Sequence, residues 1–523
     1  MLLFVALAHA VAPPTSASGA AAAAQLPVDD AAIHAQLLDE VDHPGMKLCL
    51  TEVVEQLRLH WDHLSVADRA HVSAVLAPDG KDMFAPAPAA AAPPPAKDSC
   101  WSEYDNRLVG EHFAVEWEEG VDADDAQQFL DDLETSWSVE VDGLGWAPFD
   151  GSDSYLMLVE IQNKRTGGAY TTVKSCGGQY IPYIVSGKDS WDDPDWGASM
   201  APHEFNHALQ FGYSYAPEFW WWEATATYME DNVFPDINYW GDYVAGYTQN
   251  PHIALSASSQ QDQDIFWHMY GLAIFGFYLD NYQGGPDTVL ATWEDARKDH
   301  GQYNKSAHEM VDDLNVDWDT VYADWIARNT VMDYDQQRYF PEIAIHDQVR
   351  ALPNDGSSDR SDEPEGYGQN YIFINGGLGT GDLVVHFTGN DKVEWSVQLV
   401  EVENSRVSRV AAMVGTNGAG DITLTGYGDN DVYLVVSPLT ADDSGYDYEW
   451  SAELISVDPP DTGSGDTANP GDPAGDGNGD GSGNDGLDLS TGAGCGCTTG
   501  GSDGAAVAGG LLAMGAIARR RKR

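Results

Sequence analysis

Met200-Ala201-Pro202-His203-Glu204-Phe205-Asn206-His207-Ala208-Leu209-Gln210-Phe211 is the most informative run in the 523-residue chain. It holds the pattern His-Glu-x-x-His. Residues four apart on a helix stack on one face, so His203 and His207 can aim two imidazoles at one metal ion. Glu204, one residue along, is close enough to take a proton from a metal-bound water. Pro202 suits the first turn of that helix, and Ala208, Leu209 and Phe211 continue it as an apolar run. A catalytic zinc takes three protein ligands and keeps one position open, so a third ligand is expected on a following helix.

The candidate for that ligand comes after a Gly212 to Pro217 turn, in Trp220-Trp221-Trp222-Glu223-Ala224-Thr225-Ala226-Thr227-Tyr228. An isolated acid behind three tryptophans is costly unless it binds a cation or is protonated. No Cys or His follows close to Glu223 to close a four-ligand structural site, which favours an open, catalytic one.

The spacing His203, His207, fifteen intervening residues, then Glu223 in a Trp-Glu-Ala-Thr-Ala context resembles the gluzincin metallopeptidases, in particular exported bacterial members with a Trp-x-x-Glu-x-x-Ala second motif. Tyr270 to Phe275 and Tyr278 to Asp280 resemble the helix that follows the site in those proteins. The resemblance covers about residues 100–335. It implies an α+β zincin-like domain, Zn2+ held by His203, His207 and Glu223, and Glu204 as general base in peptide hydrolysis. One position departs: thermolysin-like members put an acid four residues after the third ligand, where this chain has Thr227. The partner of the His203 imidazole is therefore left between Asp231 and a backbone carbonyl. Sites of this kind also use a hydrogen-bond donor for the oxyanion. Tyr228, His268 and Tyr270 are the candidates, with Tyr270 placed first by the resemblance.

Around this core the chain divides by composition. His112 to Glu118, Ser154 to Gln162 and Tyr180 to Val185 read as strands, the last with Pro182 and so at a sheet edge. Asp122 to Ser138 reads as an amphipathic helix, and helices dominate from Ala198 to Met332. Seven strand-like runs between residues 367 and 455 predict an all-β sandwich with its own two-faced core. The fold class is thus multidomain: an α+β metallopeptidase domain over 100–350 followed by a β-sandwich over 365–456. Residues 21–99 read as a helical unit and a Pro/Ala-rich spacer, the unit being either a pro-segment or an ordinary N-terminal helical domain, with Ser65 starting one short helix. Residues 457–494 form a Gly/Asp/Pro-rich linker. Cys100 and Cys176 fall in the same unit and can bridge.

The ends point to export. Residues 1–20 read as a signal peptide, although no basic residue precedes its apolar run. Ala505 to Ala518 is apolar, spans only about 21 Å as a helix, and is followed by Arg519-Arg520-Arg521-Lys522-Arg523. With Cys495 and Cys497 just upstream, residues 495–523 resemble the C-terminal sorting tags of myxobacterial exported proteins. That implies contact with membrane and sorting machinery, and a body at the cell surface or outside the cell.

Lys+Arg total 25 against 84 Asp+Glu, a net charge of −59, which excludes nucleic acid as a partner of the body. Asp189, Asp192, Asp193 and Asp195 offer oxygen ligands for a structural Ca2+, against a solvated acidic loop as the plainer reading. The expectation is a monomeric, exported zinc peptidase acting on protein or peptide. The alternative is a catalytically inactive surface adhesion or binding protein that retains the same fold.

Overall fold

The computed structural model describes residues 104–163, 168–176, 179–213, 218–259, 262–298, 317–414 and 418–456, with a few isolated positions between 64 and 72 and at 309 and 311. The stretches read as signal peptide, linker and sorting tag, and most of the one read as a pro-segment, lie outside the described residues. Of the short helix read at Ser65, the cap is present: the Asp68 amide donates to Ser65 Oγ at 3.1 Å.

The chain from residue 104 is α+β. Its first sheet has the order β1-β2-β3-β5-β4, from β1 (Asn106–Val109), β2 (Phe113–Trp117), β3 (Met157–Gln162), β4 (Ala169–Cys176) and β5 (Gln179–Gly187). β2, β3 and β5 run parallel, while the outer strands β1 and β4 are antiparallel to their neighbours. Strand alternation sends Phe113, Val115, Trp117, Met157, Val159 and Ile161 into one core. Helix α1 (Ala123–Trp137) covers that face with Ala126, Phe129, Leu130, Leu133 and Trp137, and Asp122 caps its start by accepting from the Asp124 amide.

Two sequence readings change here. β5 is an interior strand, not an edge. Pro182 is tolerated because pairing with β3 begins only at Tyr183, so its missing N–H removes nothing on that side. Among the described residues the sheet ends beyond β5 in β4, a strand that the sequence reading does not contain. Cys176 at its end is disulfide-bonded.

Among the described residues the helices that follow are α2 (Pro194–Tyr213), α3 (Phe219–Val233), α4 (Trp240–Gln249), α5 (Gln263–Gly271), α6 (Ala273–Gln283) and α7 (Pro286–Lys298), with α8 (Trp318–Arg328) further on. Helix α2 is buried on every side from Trp196 to Gln210, as a helix through the centre of a domain must be. It starts at Pro194, not Pro202. Pro202 lies inside it, and the Gly197 amide bonds back to the Asp193 carbonyl. Asp193 also accepts from Tyr239 Oη at 2.5 Å, so this member of the acidic loop serves the helix start.

All seven strand-like runs are strands, joined by two short ones upstream. They are β6 (Asp347–Val349), β7 (Asn354–Ser357), β8 (Asn370–Ile374), β9 (Gly381–Gly389), β10 (Glu394–Glu403), β11 (Arg406–Val414), β12 (Ala419–Tyr427), β13 (Asp431–Leu439) and β14 (Tyr448–Ile455), and they build a five-stranded sheet, β11-β10-β13-β8-β6, and a four-stranded sheet, β12-β9-β14-β7. Between them lies an interior of Trp395, Val397, Leu399, Leu434, Phe387 and Trp450, among others. The other face of the five-stranded sheet is also buried: Tyr371, Val400 and Val435 join the core that holds the helices. Polar groups stitch the same seam. Tyr322 Oη on α8 donates to the Tyr367 carbonyl at 2.7 Å, and Gln398 Nε2 donates to the Ala323 carbonyl at 3.0 Å.

Candidate metal centre

Helices α2 and α3 pack side by side and bring His203, His207 and Glu223 together. His203 Nε2 and His207 Nε2 are 3.2 Å apart, and Glu223 Oε2 lies 3.2 Å from the first and 3.4 Å from the second. A tetrahedron with metal–ligand bonds of about 2.0–2.2 Å has edges of about 3.3–3.6 Å, so the triangle has the dimensions of one face. All three side chains are buried.

The protonation of the two imidazoles follows from their outer partners. His203 Nδ1 lies 2.9 Å from Glu230 Oε1. Glu230 also accepts from Ser199 Oγ, one helical turn before His203. His207 Nδ1 lies 2.8 Å from Gln210 Oε1. Gln210 directs its amide hydrogens to Asn206 Oδ1 at 2.8 Å and to the Trp222 carbonyl at 3.1 Å, which leaves Oε1 to accept from His207. Each ring therefore carries its proton on Nδ1 and presents a lone pair from Nε2. Two lone pairs and a carboxylate oxygen converge in a water-poor interior with no proton among them. That donor set can hold a metal ion.

Burial pushes the Glu223 carboxyl up, while positive charge and hydrogen bonds on the adjacent His207 and His203 bring it down to about 2; with both rings neutral, a cation held between them would supply that charge instead. Burial raises Glu230, with the His203 and Ser199 hydrogen bonds pulling back. Beside the triangle, Thr171 Oγ1 on β4 lies 2.7 Å from Glu204 Oε2 and 2.8 Å from the Glu204 carbonyl, which ties the acid to that strand.

The remaining predicted residues separate. Tyr270 on α5 stacks on His203, ring centroids 5.8 Å apart and planes 10° from parallel. Tyr228 instead turns to α6, where it meets Phe277 edge-on at 5.3 Å. His268 packs on Tyr247 at 5.7 Å, and burial brings its pKa down to about 3. Asp231 is not the His203 partner: it accepts from Trp240 Nε1 at 3.1 Å. The acid that serves is Glu230, seven residues after Glu223, which puts it two turns on along the same face of α3. That spacing is readable in sequence, as is Gln210 three residues after His207. Thr171 carried no such signal. Among the described residues no second group of side chains converges as metal ligands, the Asp189 to Asp195 loop included.

A family model, described as a family of unknown function (DUF6055), matches residues 76–454. The chain belongs to the DUF6055 family. No curated protein sequence matches this DUF6055 chain. Solved structures similar to parts of it include the pre-peptidase C-terminal domain of a Bacillus anthracis collagenase, 10% identical, covering 22% of this chain and 100% of that one at a TM-score of 0.17. Tripeptidyl peptidase 2 is 8% identical over 21% of this chain and 11% of that one, also at 0.17. A mitogen from Yersinia pseudotuberculosis is 12% identical over 21% of this chain and 92% of that one, at 0.15. Scores of that size leave the function to be argued from the site.

Proposed function

We propose that this DUF6055 chain is a zinc-dependent peptidase of zincin-like fold, acting on protein or peptide outside the cytoplasm. The observation that carries the reading is the His203–His207–Glu223 triangle with Glu204 beside it. When bound, zinc lowers the pKa of a coordinated water to about 7 and polarises a substrate carbonyl. His203, His207 and Glu223 would hold it. The chain's own contribution is positional. Glu230 and Gln210 fix the two imidazoles with Nε2 lone pairs facing inward. Thr171 steadies the Glu204 carboxylate, the group that receives the proton of the attacking water and delivers it to the leaving amine.

β4 supports the choice of substrate. It is the last of the described strands on its side of the sheet, so an extended peptide added to it would run past Thr171 and Glu204. Tyr270, stacked on His203, is the hydroxyl offered to the developing oxyanion. Placement outside the cytoplasm rests on the sequences of the two ends.

The deciding experiment is metal analysis of the purified full-length chain together with digestion of a peptide library. One zinc per chain and cleavage that stops on chelation are expected. Stoichiometric zinc without cleavage of any peptide would leave the binding-protein alternative in its place.

A further inference from the structure

We propose that Glu140 is a positioning residue for the metal ligand His207, acting through two intervening side-chain amides. The inference rests on the metal-centre reading and adds to it a residue that no sequence motif marks.

Glu140 lies in a π-helical turn, Ser138–Gly143, that continues α1. Its side chain is fully buried, a costly place for an acid. Among the described residues Asn206 is its one side-chain hydrogen-bond partner, with Asn206 Nδ2 donating to Glu140 Oε2 at 2.9 Å. From Asn206 the bonds continue in one direction. Asn206 Oδ1 accepts from Gln210 Nε2 at 2.8 Å, and Gln210 Oε1 accepts from His207 Nδ1 at 2.8 Å. Every donor points away from the ligand and the chain of bonds ends on the carboxyl.

This order has a consequence for orientation. A primary amide can turn by 180° and exchange its oxygen for its nitrogen at little steric cost. Burial holds the Glu140 carboxyl well above its ordinary value, and its Oε2 accepts from Asn206 Nδ2, which turns Oδ1 to Gln210. Gln210 must then offer Nε2 to Asn206, which turns Oε1 to His207. His207 is left with its proton on Nδ1 and its lone pair at the metal position. Asn206, His207 and Gln210 are all fully buried, so water does not substitute for a missing link. His203 receives the equivalent support directly from Glu230, whereas His207 receives it from a carboxyl three hydrogen bonds away.

The test uses zinc titrated into the metal-free full-length protein against a competing chelator, with histidine 15N resonances reporting the ring tautomer. Glu140→Gln keeps an acceptor and is expected to bind within about threefold of wild type. Glu140→Met keeps the size and removes the acceptor. Loss of an outer partner costs 10–100-fold in metal affinity, and about tenfold is expected here, with His207 losing its single Nδ1–H form. Glu140→Ala serves as the second truncation should the Met variant not fold. A cycle with Gln210→Met separates relay from scaffold: once Gln210 is gone, losing Glu140 is expected to cost nothing more. Wild-type affinity and tautomer in a folded Glu140→Met protein would overturn the proposal, as would additive losses in the cycle. His203→Ala is the control for the underlying reading. If that change leaves zinc affinity intact, the metal centre itself is wrong; if it abolishes binding while Glu140 is neutral, only the role of Glu140 falls.

Discussion

Glu230 Oε1 stands 2.9 Å from His203 Nδ1, on the side of the imidazole away from Glu223, so one face of one helix presents an acid to each nitrogen of the same ring. The two acids have different duties. Glu223 shares the inner position with His207, while Glu230 is tied to Ser199 and holds the ring.

Glu223→Ala is therefore expected to abolish stoichiometric zinc binding. Glu230→Gln is expected to weaken it by about 10–100-fold while leaving one zinc per chain at saturation. Competition titration of the two variants checks both. Equal losses would mean that both acids are ligands.

Glu204→Gln is expected to retain wild-type zinc content and to lower peptide hydrolysis by at least about 100-fold, since the amide cannot take the proton. Undiminished turnover in that variant would remove Glu204 from the chemistry. Thr171→Val is expected to act in the same direction and more weakly, because it frees Glu204 from β4.

Asp132 gives the fold a pH dependence unrelated to the site. It is buried in α1, and burial, with Asp131 nearby, pushes its carboxyl up to about 7 against the Gln128 hydrogen bond. A raised carboxyl favours the folded state when protonated. That contribution is complete below the unfolded value of 3.8 and is lost as pH rises through about 7. Asp132→Asn, which still offers an oxygen to Gln128, is expected to raise the melting temperature at pH 8 and change it little at pH 4. Melting curves across that range check the sign. An Asn variant that melts lower at pH 8 would show that the charged form is the stabilised one.

Asp333 is the anchor between the helices and the five-stranded sheet. It accepts from Arg406, from Arg328 Nη1 at 3.3 Å and from the Val407 amide at 3.1 Å. Asp333 is buried while Arg406 is half exposed, so the loss is set mainly by the partly buried Val407 amide and Arg328, left without their acceptor. That costs about 1–3 kcal/mol, and Asp333→Ala is expected to destabilise the whole protein in a single transition. Denaturant unfolding followed separately by tryptophan fluorescence and by zinc release would show it. Two separated transitions would mean that sandwich and helices unfold independently.

The legible parts of the sequence were those with a short period or a fixed offset. His203 and His207 lie one turn apart, and β8 to β14 alternate regularly enough to be located from their apolar runs. What stayed hidden depends on distant segments meeting. β4 carries Thr172, Lys174 and Ser175 and has no apolar run to mark it as a strand, yet it pairs along eight residues with β5. Pro202 reads as a first-turn residue because proline is commonest there, while the helix starts at Pro194, with Asp193 before it. Glu140 precedes Asn206 by 66 residues, and no local pattern links them.

The double burial of the sheet that contains Tyr371 and Val400 also bears on how catalysis would be paced. Many two-part enzymes close over substrate by swinging one part about a hinge, which needs a thin, wettable joint. Here Tyr322, Gln398 and Asp333 lock a dry seam, and rocking it would tear open the same interior that supports α2. Substrate would have to be admitted by movements of side chains and connecting loops around a fixed frame, so the tempo of turnover would be set locally.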